Sequence, residues 1–206
     1  MMKKDLSADF YQNLKNNKKL TNKTMTKIYN INKELIIDEP DLDLEQTVEK
    51  HKADLGKADL RGVDLSNANL READLSGAIL EKANLRGAYL RNVNLRKTDL
   101  RGADLSNANL READLSGADL REANLSGVDL SFAILEKADL SGANLSVADL
   151  SGVYLKGSNL EKANLICADL RYANLQEANL SGADLRGVYL FQANLERTNL
   201  KGTILD

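Results

Sequence analysis

From Leu55 to Leu205 a leucine falls on every fifth residue, thirty-one times without a miss. Neither regular element buries such a period. An α-helix turns about 100° per residue, so leucines five apart would scatter around its circumference. A straight strand alternates faces, so successive leucines would point to opposite sides. The flanking positions follow the same period. Two residues before each leucine stands Ala in twenty-two repeats and Val, Thr or Ser in the other nine; one residue before it stands Asp thirteen times and Asn twelve times. A locally extended Ala-Asp-Leu points the small residue and the leucine one way and the polar residue the other. The chain must therefore bend in the two remaining positions to bring the next pair inward. Those positions hold turn formers: Gly fills the second one twelve times, and Ser is frequent in the first. A chain that bends the same way every five residues closes into coils, and coils of this kind stack as a solenoid.

The unit A-(D/N)-L-x-x, in tandem from residue 53 to residue 205, resembles the pentapeptide repeat family. The resemblance implies an all-β solenoid, a right-handed quadrilateral β-helix with four repeats per coil. Thirty-one repeats then make nearly eight coils, a rod of about 37 Å at roughly 4.8 Å per stacked strand. "RGVDLSNANLREADLSGA" at 61–78 recurs at 101–118 with one change, a shift of forty residues or two such coils. Stacked aspartates would repel, and their mixture with asparagine relieves this, so the Asp/Asn set reads as structural and not as a metal site.

The pattern starts near residue 52, which divides the chain into a subdomain at 1–51 and the β-helix at 52–206. All thirteen glycines follow that boundary, and Pro40, the only proline, precedes it. Residues 1–33 carry a local charge of +6 and residues 34–50 one of −6, so the two stretches can neutralise each other. A short helix is expected after Ser7 with Phe10 and Leu14 on one face, and Glu34–Asp38 has strand character. Asp43 and Gln46 form the pattern of a capping box, opening a helix to about His51 with Leu44 and Val48 on one side. This small mixed, partly helical region would cap the open first coil, whose unpaired edge otherwise invites pairing.

Chemistry is sparse. His51 stands alone beside a helix end, and Cys167 has no second cysteine to pair with. There is no phosphate loop and no zinc spacing, and the carboxylates repeat evenly where a catalytic pair would be a local exception. No catalytic, cofactor or metal site is expected. The net charge is −3, no apolar run has membrane-spanning length, and no signal-peptide pattern opens the chain, so a bacterial cytoplasmic protein is the expectation.

Function must then lie in the exceptions on the outer surface. Ile79, Tyr89, Ile134, Tyr154, Tyr189 and Ile204 replace the outward Asp or Asn, and Phe132, Val147, Ile166, Tyr172 and Phe191 are further outward apolar residues. With coils of twenty, Phe132, Ile134, Tyr154, Tyr172, Tyr189 and Phe191 gather in the C-terminal half as a candidate interaction surface. The same residues equally suit surface ladders among themselves. Arg71, Arg91 and Arg111 fall in one column, as a solvated arginine ladder or an anion-binding strip. The family resemblance also implies a known activity, mimicry of duplex DNA toward type II topoisomerases with quinolone protection. That activity needs a strongly negative rod, and the four faces sum to 0, −1, −2 and −1. Those members also often place Phe at the centre of the repeat and insert loops between coils, and this chain does neither. The leading expectation is a non-catalytic scaffold for an unidentified protein partner, without direct nucleic-acid or membrane binding; the DNA mimic is the alternative. An end-to-end homodimer through Ile204 and Leu205 would cover an open last coil.

Overall fold

The computed structural model describes residues 26–30, 32–39 and 41–205. The helix expected after Ser7 lies outside them. From Asp59↔Ile79 to Asp184↔Ile204, every outward position forms a parallel bridge with the residue twenty places on, twenty-six bridges in unbroken succession. The coil is therefore twenty residues long and carries four repeats. Both main-chain groups of an outward residue bond the preceding coil, and its two neighbours bond the next: the Asp99 N–H donates to Ala78 C=O at 3.0 Å and Asp99 C=O accepts from Leu80 N–H at 2.7 Å, while Thr98 C=O accepts from Asp119 N–H at 3.0 Å and Leu100 N–H donates to Asp119 C=O at 2.7 Å. The leucines and small residues point inward, and from Leu55 to Ala183 they are essentially inaccessible. Polar residues at the small position find carbonyls instead: Thr98 Oγ1 donates to Leu75 C=O at 2.8 Å and Ser158 Oγ to Leu155 C=O at 2.7 Å. Among the described residues no buried side-chain polar atom lacks a partner.

Each corner is a four-residue turn in which the small residue's N–H donates to the preceding leucine's carbonyl, as Ala103 does to Leu100 at 3.0 Å. Its third residue lies in the left-handed region, the requirement of a type II turn. All thirty such positions from 57 to 202 have φ between 55° and 71°; twelve are glycine and eighteen are not. Glycine's distribution has a second cause. The side chain at this position leans over the residue one coil later, and where that residue is Gly the space is filled from below. Lys82 lies over Gly102, Lys97 over Gly117, Asn107 over Gly127 and Phe132 over Gly152. In three of the four corner columns long side chain and glycine alternate over much of the rod, as at Lys57, Gly77, Lys97 and Gly117, and this accompanies the forty-residue recurrence in the sequence; the column of Glu72, Asn92, Glu112 and Phe132 does not alternate.

The outward Asn and Asp form directional ladders. Asn84 Nδ2 donates to Asp64 Oδ1 at 2.8 Å, and Asn144 to Asn124 and Asn164 to Asn144 follow the same sense, each twenty residues back. The accepting Oδ1 also takes the backbone N–H two residues on, as Asp64 does from Ser66. Where arginine stands two residues after an aspartate it folds back on it: Asp59–Arg61, Asp99–Arg101, Asp119–Arg121, Asp169–Arg171 and Asp184–Arg186 pair at 2.5–2.8 Å.

The N-terminal end is capped by more than the expected helix. β1 (Thr26–Tyr29) and β2 (Leu35–Glu39) pair antiparallel, and β2 is the strand read at 34–38. The hairpin extends the rod: Asn30 bridges Ala58 antiparallel, and the Asp59 N–H donates to Tyr29 C=O at 2.8 Å. α1 (Leu44–Lys50) opens on the capping box of Asp43 and Gln46, with Val48 buried and Leu44 half-buried against the core. His51 is its C-cap. Glu49, twenty residues before Asn69, accepts that residue's N–H on its carboxylate at 2.8 Å and so stands in for the carbonyl of a missing coil. Lys52 C=O likewise accepts the Asp74 N–H. One expectation fails here. Ala53, read as the first inward small residue, is exposed in a 3₁₀ turn at Lys52–Asp54, and the regular coil begins only with Leu55. At the other end Leu190 and Leu195 are half-buried, and Leu200, Ile204 and Leu205 are exposed.

Candidate interaction surface

The candidate residues lie around one corner of the rod and on the two faces it joins. One face carries the column 69, 89, 109, 129, 149, 169, 189; the corner carries the columns of 71 and 72; the second face carries the column of 74. Along the N-terminal half of the corner run Arg71, Arg91 and Arg111, and their guanidinium groups are engaged locally. Arg71 lies 4.5 Å above the Tyr89 ring, Arg91 pairs with Glu112 at 3.1 Å, and Arg111 contacts Glu112 at 3.2 Å and lies 5.0 Å from the Phe132 ring. The arginine ladder is held by carboxylate and ring neighbours.

After Arg111 the corner changes. Its first column continues with Ser131, Ser151, Arg171 and Phe191, and its second with Phe132, Gly152, Tyr172 and Gln192. The Phe132 ring lies against the Gly152 backbone, so close that a Cβ on residue 152 would sit 2.8 Å from a ring carbon. Tyr172 and Phe191 meet edge to face with centroids 5.9 Å apart. On the second face Ile134 bridges Tyr154; on the first, Tyr189 bridges Asp169. All six residues are exposed, from 37% at Ile134 to 63% at Phe191. The structure thus brings Phe132, Ile134, Tyr154, Tyr172 and Phe191 together along the corner and places Tyr189 on the adjoining face. Val147, 68% exposed, lies on a different corner, and Ile204 belongs to the column of Asp184.

Two features of this corner were not read from the sequence. Phe132 and Tyr172 hold φ values of 59° and 62°. That region is costly for bulky side chains, and the chain elsewhere fills it mostly with Gly, Asn, Lys and Glu. The signal was available: any residue in the second turn position inherits the φ that the glycines advertise. The other feature is a run of three stacked aspartates, Asp129, Asp149 and Asp169, bridged in succession on the first face.

Among the described residues no His, Cys, Asp and Glu cluster could hold a metal ion, and no helix is long and apolar enough to cross a membrane. A shallow groove of about 490 Å³ is lined in part by Arg96, Lys97, Asp114, Ser116, Ile134 and Lys137. Cys167 is a free, exposed thiol. The titration behaviour is that of local ion pairs. The Arg101 guanidinium, hydrogen-bonded to Asp99, holds that carboxyl below its ordinary value, and Arg171 and Arg186 do the same for Asp169 and Asp184.

A family model for pentapeptide repeats matches the chain in eight copies that together span residues 51–206. The chain belongs to the pentapeptide repeat family. No curated protein matches it. Among solved structures it is similar to HetL, a pentapeptide repeat protein involved in heterocyst differentiation regulation from the cyanobacterium Nostoc sp. strain PCC 7120, with 40% identity over 70% of this chain and 73% of that one and a TM-score of 0.41. It is also similar to the pentapeptide repeat protein Rfr23 from the cyanobacterium Cyanothece 51142, at 52% identity over 45% of this chain and 60% of that one, TM-score 0.37. Full-length QnrB1, a plasmid-mediated fluoroquinolone resistance protein, is 22% identical over 70% of this chain and 84% of that one, TM-score 0.34.

Proposed function

We propose that this rod, right-handed and four-sided as its family implies, is a non-catalytic scaffold that presents its C-terminal aromatic corner to a protein partner. One observation carries the reading. Phe132, Tyr154, Tyr172 and Phe191 are 47–63% exposed on one corner and the face beside it, and exposed aromatics of this kind are enriched at interfaces. Two of them occupy left-handed turn positions that ordinary surface residues would fill at lower cost. A structural device alone gains little from that strain. The groove that Ile134 lines among the described residues is open and shallow, which suits a macromolecular ligand better than an enclosed small molecule. The rod acts in the cytoplasm in this reading.

Affinity capture from the source cell extract tests it, comparing the wild type with a Tyr154→Asn/Tyr172→Asn double variant. The expected result is a partner retained by the wild type and released by the variant. A partner held equally by both, or none held by either, overturns the reading. The DNA-mimic alternative predicts inhibition of gyrase supercoiling near stoichiometry, weakened by salt. With no strongly negative face on the rod, no such inhibition is expected.

A further inference from the structure

Past the second face the rod turns another corner, and there the geometry points to a separate contact. We infer that a row of lysines, Lys57, Lys97 and Lys137, binds an extended acidic segment of a partner protein. The three share one turn column two coils apart, and Gly77, Gly117 and Gly157 fill the places one coil after each. Each lays its stem over that glycine, with Cγ 3.5, 3.7 and 3.8 Å from where a Cβ would stand. Equivalent packing sets the three lysines in line along the rod, about 9.6 Å apart at roughly 4.8 Å per coil. This corner lies across the second face from the aromatic one and does not depend on it.

The row differs from other lysines of the rod in that its cations are unengaged. On the next corner Lys82 and Lys162 hold the same turn position, and each pairs with the glutamate before it, at 3.7 and 3.3 Å. In the row, Gly56 and Arg96 precede Lys57 and Lys97, and Lys137 follows Glu136 without pairing to it. Among the described residues none of the three lysines forms an ion pair. The carboxylates on the two adjoining faces have partners of their own. Asp59, Asp99 and Asp119 hold Arg61, Arg101 and Arg121, and Asp114 holds Arg96. Asp74 and Asp139 each accept an asparagine Nδ2, from Asn94 and Asn159, at 3.1 Å. In the two turn columns from 56 to 157 this corner carries one carboxylate, Glu136, against Lys57, Arg96, Lys97, Lys137 and Lys156.

The spacing selects the shape of the ligand. A polyproline II chain repeats every three residues at about 3.1 Å each, so side chains three apart share one edge at roughly 9.3 Å. Acidic residues at that interval meet successive lysines of the row. Between Lys97 and Lys137 the groove of about 490 Å³, lined also by Ser116, Gly117 and Ile134, leaves room for the residues between them. A single extended chain fits along the corner. A DNA duplex is broader and carries a charge about every 1.7 Å, so its phosphates would also meet the aspartates of both adjoining faces.

Fluorescence anisotropy at low salt tests the inference, with labelled Glu-Pro-Pro and Lys-Pro-Pro repeat peptides and a labelled DNA duplex. The site variant is Lys97→Gln/Lys137→Gln; Gln192 already occupies this turn position at φ 57°, and circular dichroism checks that the fold is kept. The control, Lys82→Gln/Lys162→Gln, removes the same charge from the same turn position where lysine is already paired. The site variant is expected to weaken Glu-Pro-Pro binding about fivefold or more, and the control to leave it unchanged. No binding of Glu-Pro-Pro, an equal loss in the control, equal binding of Lys-Pro-Pro, or tighter binding of the duplex overturns it. Loss of Glu-Pro-Pro binding in Tyr154→Asn/Tyr172→Asn with none in the site variant also overturns the row, while leaving the aromatic corner as the contact.

Discussion

Replacing Gly152 by alanine separates two costs that the structure otherwise superimposes. Gly152 and Gly62 have nearly the same backbone, φ 66° and 63°, and both sit in the third position of a corner turn. A Cβ at residue 62 would meet nothing within 4 Å, whereas one at residue 152 would lie 2.8 and 2.9 Å from two carbons of the Phe132 ring. Both substitutions force alanine into the left-handed region, at about 1–2 kcal/mol. Both recover about 0.5–1 kcal/mol from a less mobile unfolded chain. The Gly62→Ala variant should therefore lose roughly 0.5–1 kcal/mol. Gly152→Ala must also move the Phe132 ring, straining its rotamer by about 0.5–1.5 kcal/mol and disturbing the Arg111 contact, worth about 0.5–1 kcal/mol. Gly152→Ala should thus cost about 1–2 kcal/mol more than Gly62→Ala. In a Phe132→Ala background that excess should vanish, which makes the comparison a double-mutant cycle. Guanidinium unfolding gives the global values. Amide exchange in the coils of residues 132 and 152 gives the local ones, because stacked repeats need not unfold as one unit. Equal losses at 62 and 152, or an excess that persists without the ring, would refute the proposal that glycine spacing is set by the side chain one coil below.

Val147 is a β-branched residue at φ 59° and 68% exposed, so Val147→Gly should relieve more strain than it adds chain entropy and stabilise the rod by about 0.5–1 kcal/mol; a lower unfolding midpoint would contradict this. Asp99, Asp169 and Asp184 have carboxyl values held below the ordinary 3.8 by their arginines, so their contribution is complete above that value and is lost as pH falls through the lowered ones. Acid unfolding followed by circular dichroism should accordingly show a plateau near neutrality and a decline only below about pH 4, and Arg101→Gln should move that decline upward. The exposed Leu200, Ile204 and Leu205 predict an end-to-end dimer in sedimentation velocity that Ile204→Lys/Leu205→Lys abolishes; a monomer at the highest attainable concentration removes the dimer.

The fold was legible because the repeat encodes it redundantly. Leucine period, inward small residue and turn glycine each demand the same bend, and the capping box at Asp43 and Gln46 was readable because two side chains and two backbone groups complete one another within four residues. β1 was not readable. Of the described side chains at 27–29 only Ile28 is buried, and the strand is held by pairing with β2. Ala53 misled for the same reason in reverse: the repeat pattern extends one unit further than the coil, because the chain must first leave α1 through a 3₁₀ turn.

The candidate surface is legible only as a departure from that redundancy. Its members could be listed by subtracting the consensus from each repeat, and a coil of twenty residues places them on one corner. Whether an outward aromatic is costly cannot be read by subtraction, since it depends on backbone geometry that the glycines reveal and the aromatic itself conceals. Phe132 and Tyr172 stand where φ is positive; Ile134 and Tyr154 stand in extended bridges where apolar residues are at ease. The first pair therefore argues for selection against local stability, and the second is compatible with sheet packing alone. Bulky side chains in left-handed turn positions and exposed aromatic surface coincide at this corner, and that coincidence is the ground on which the interaction surface is proposed there.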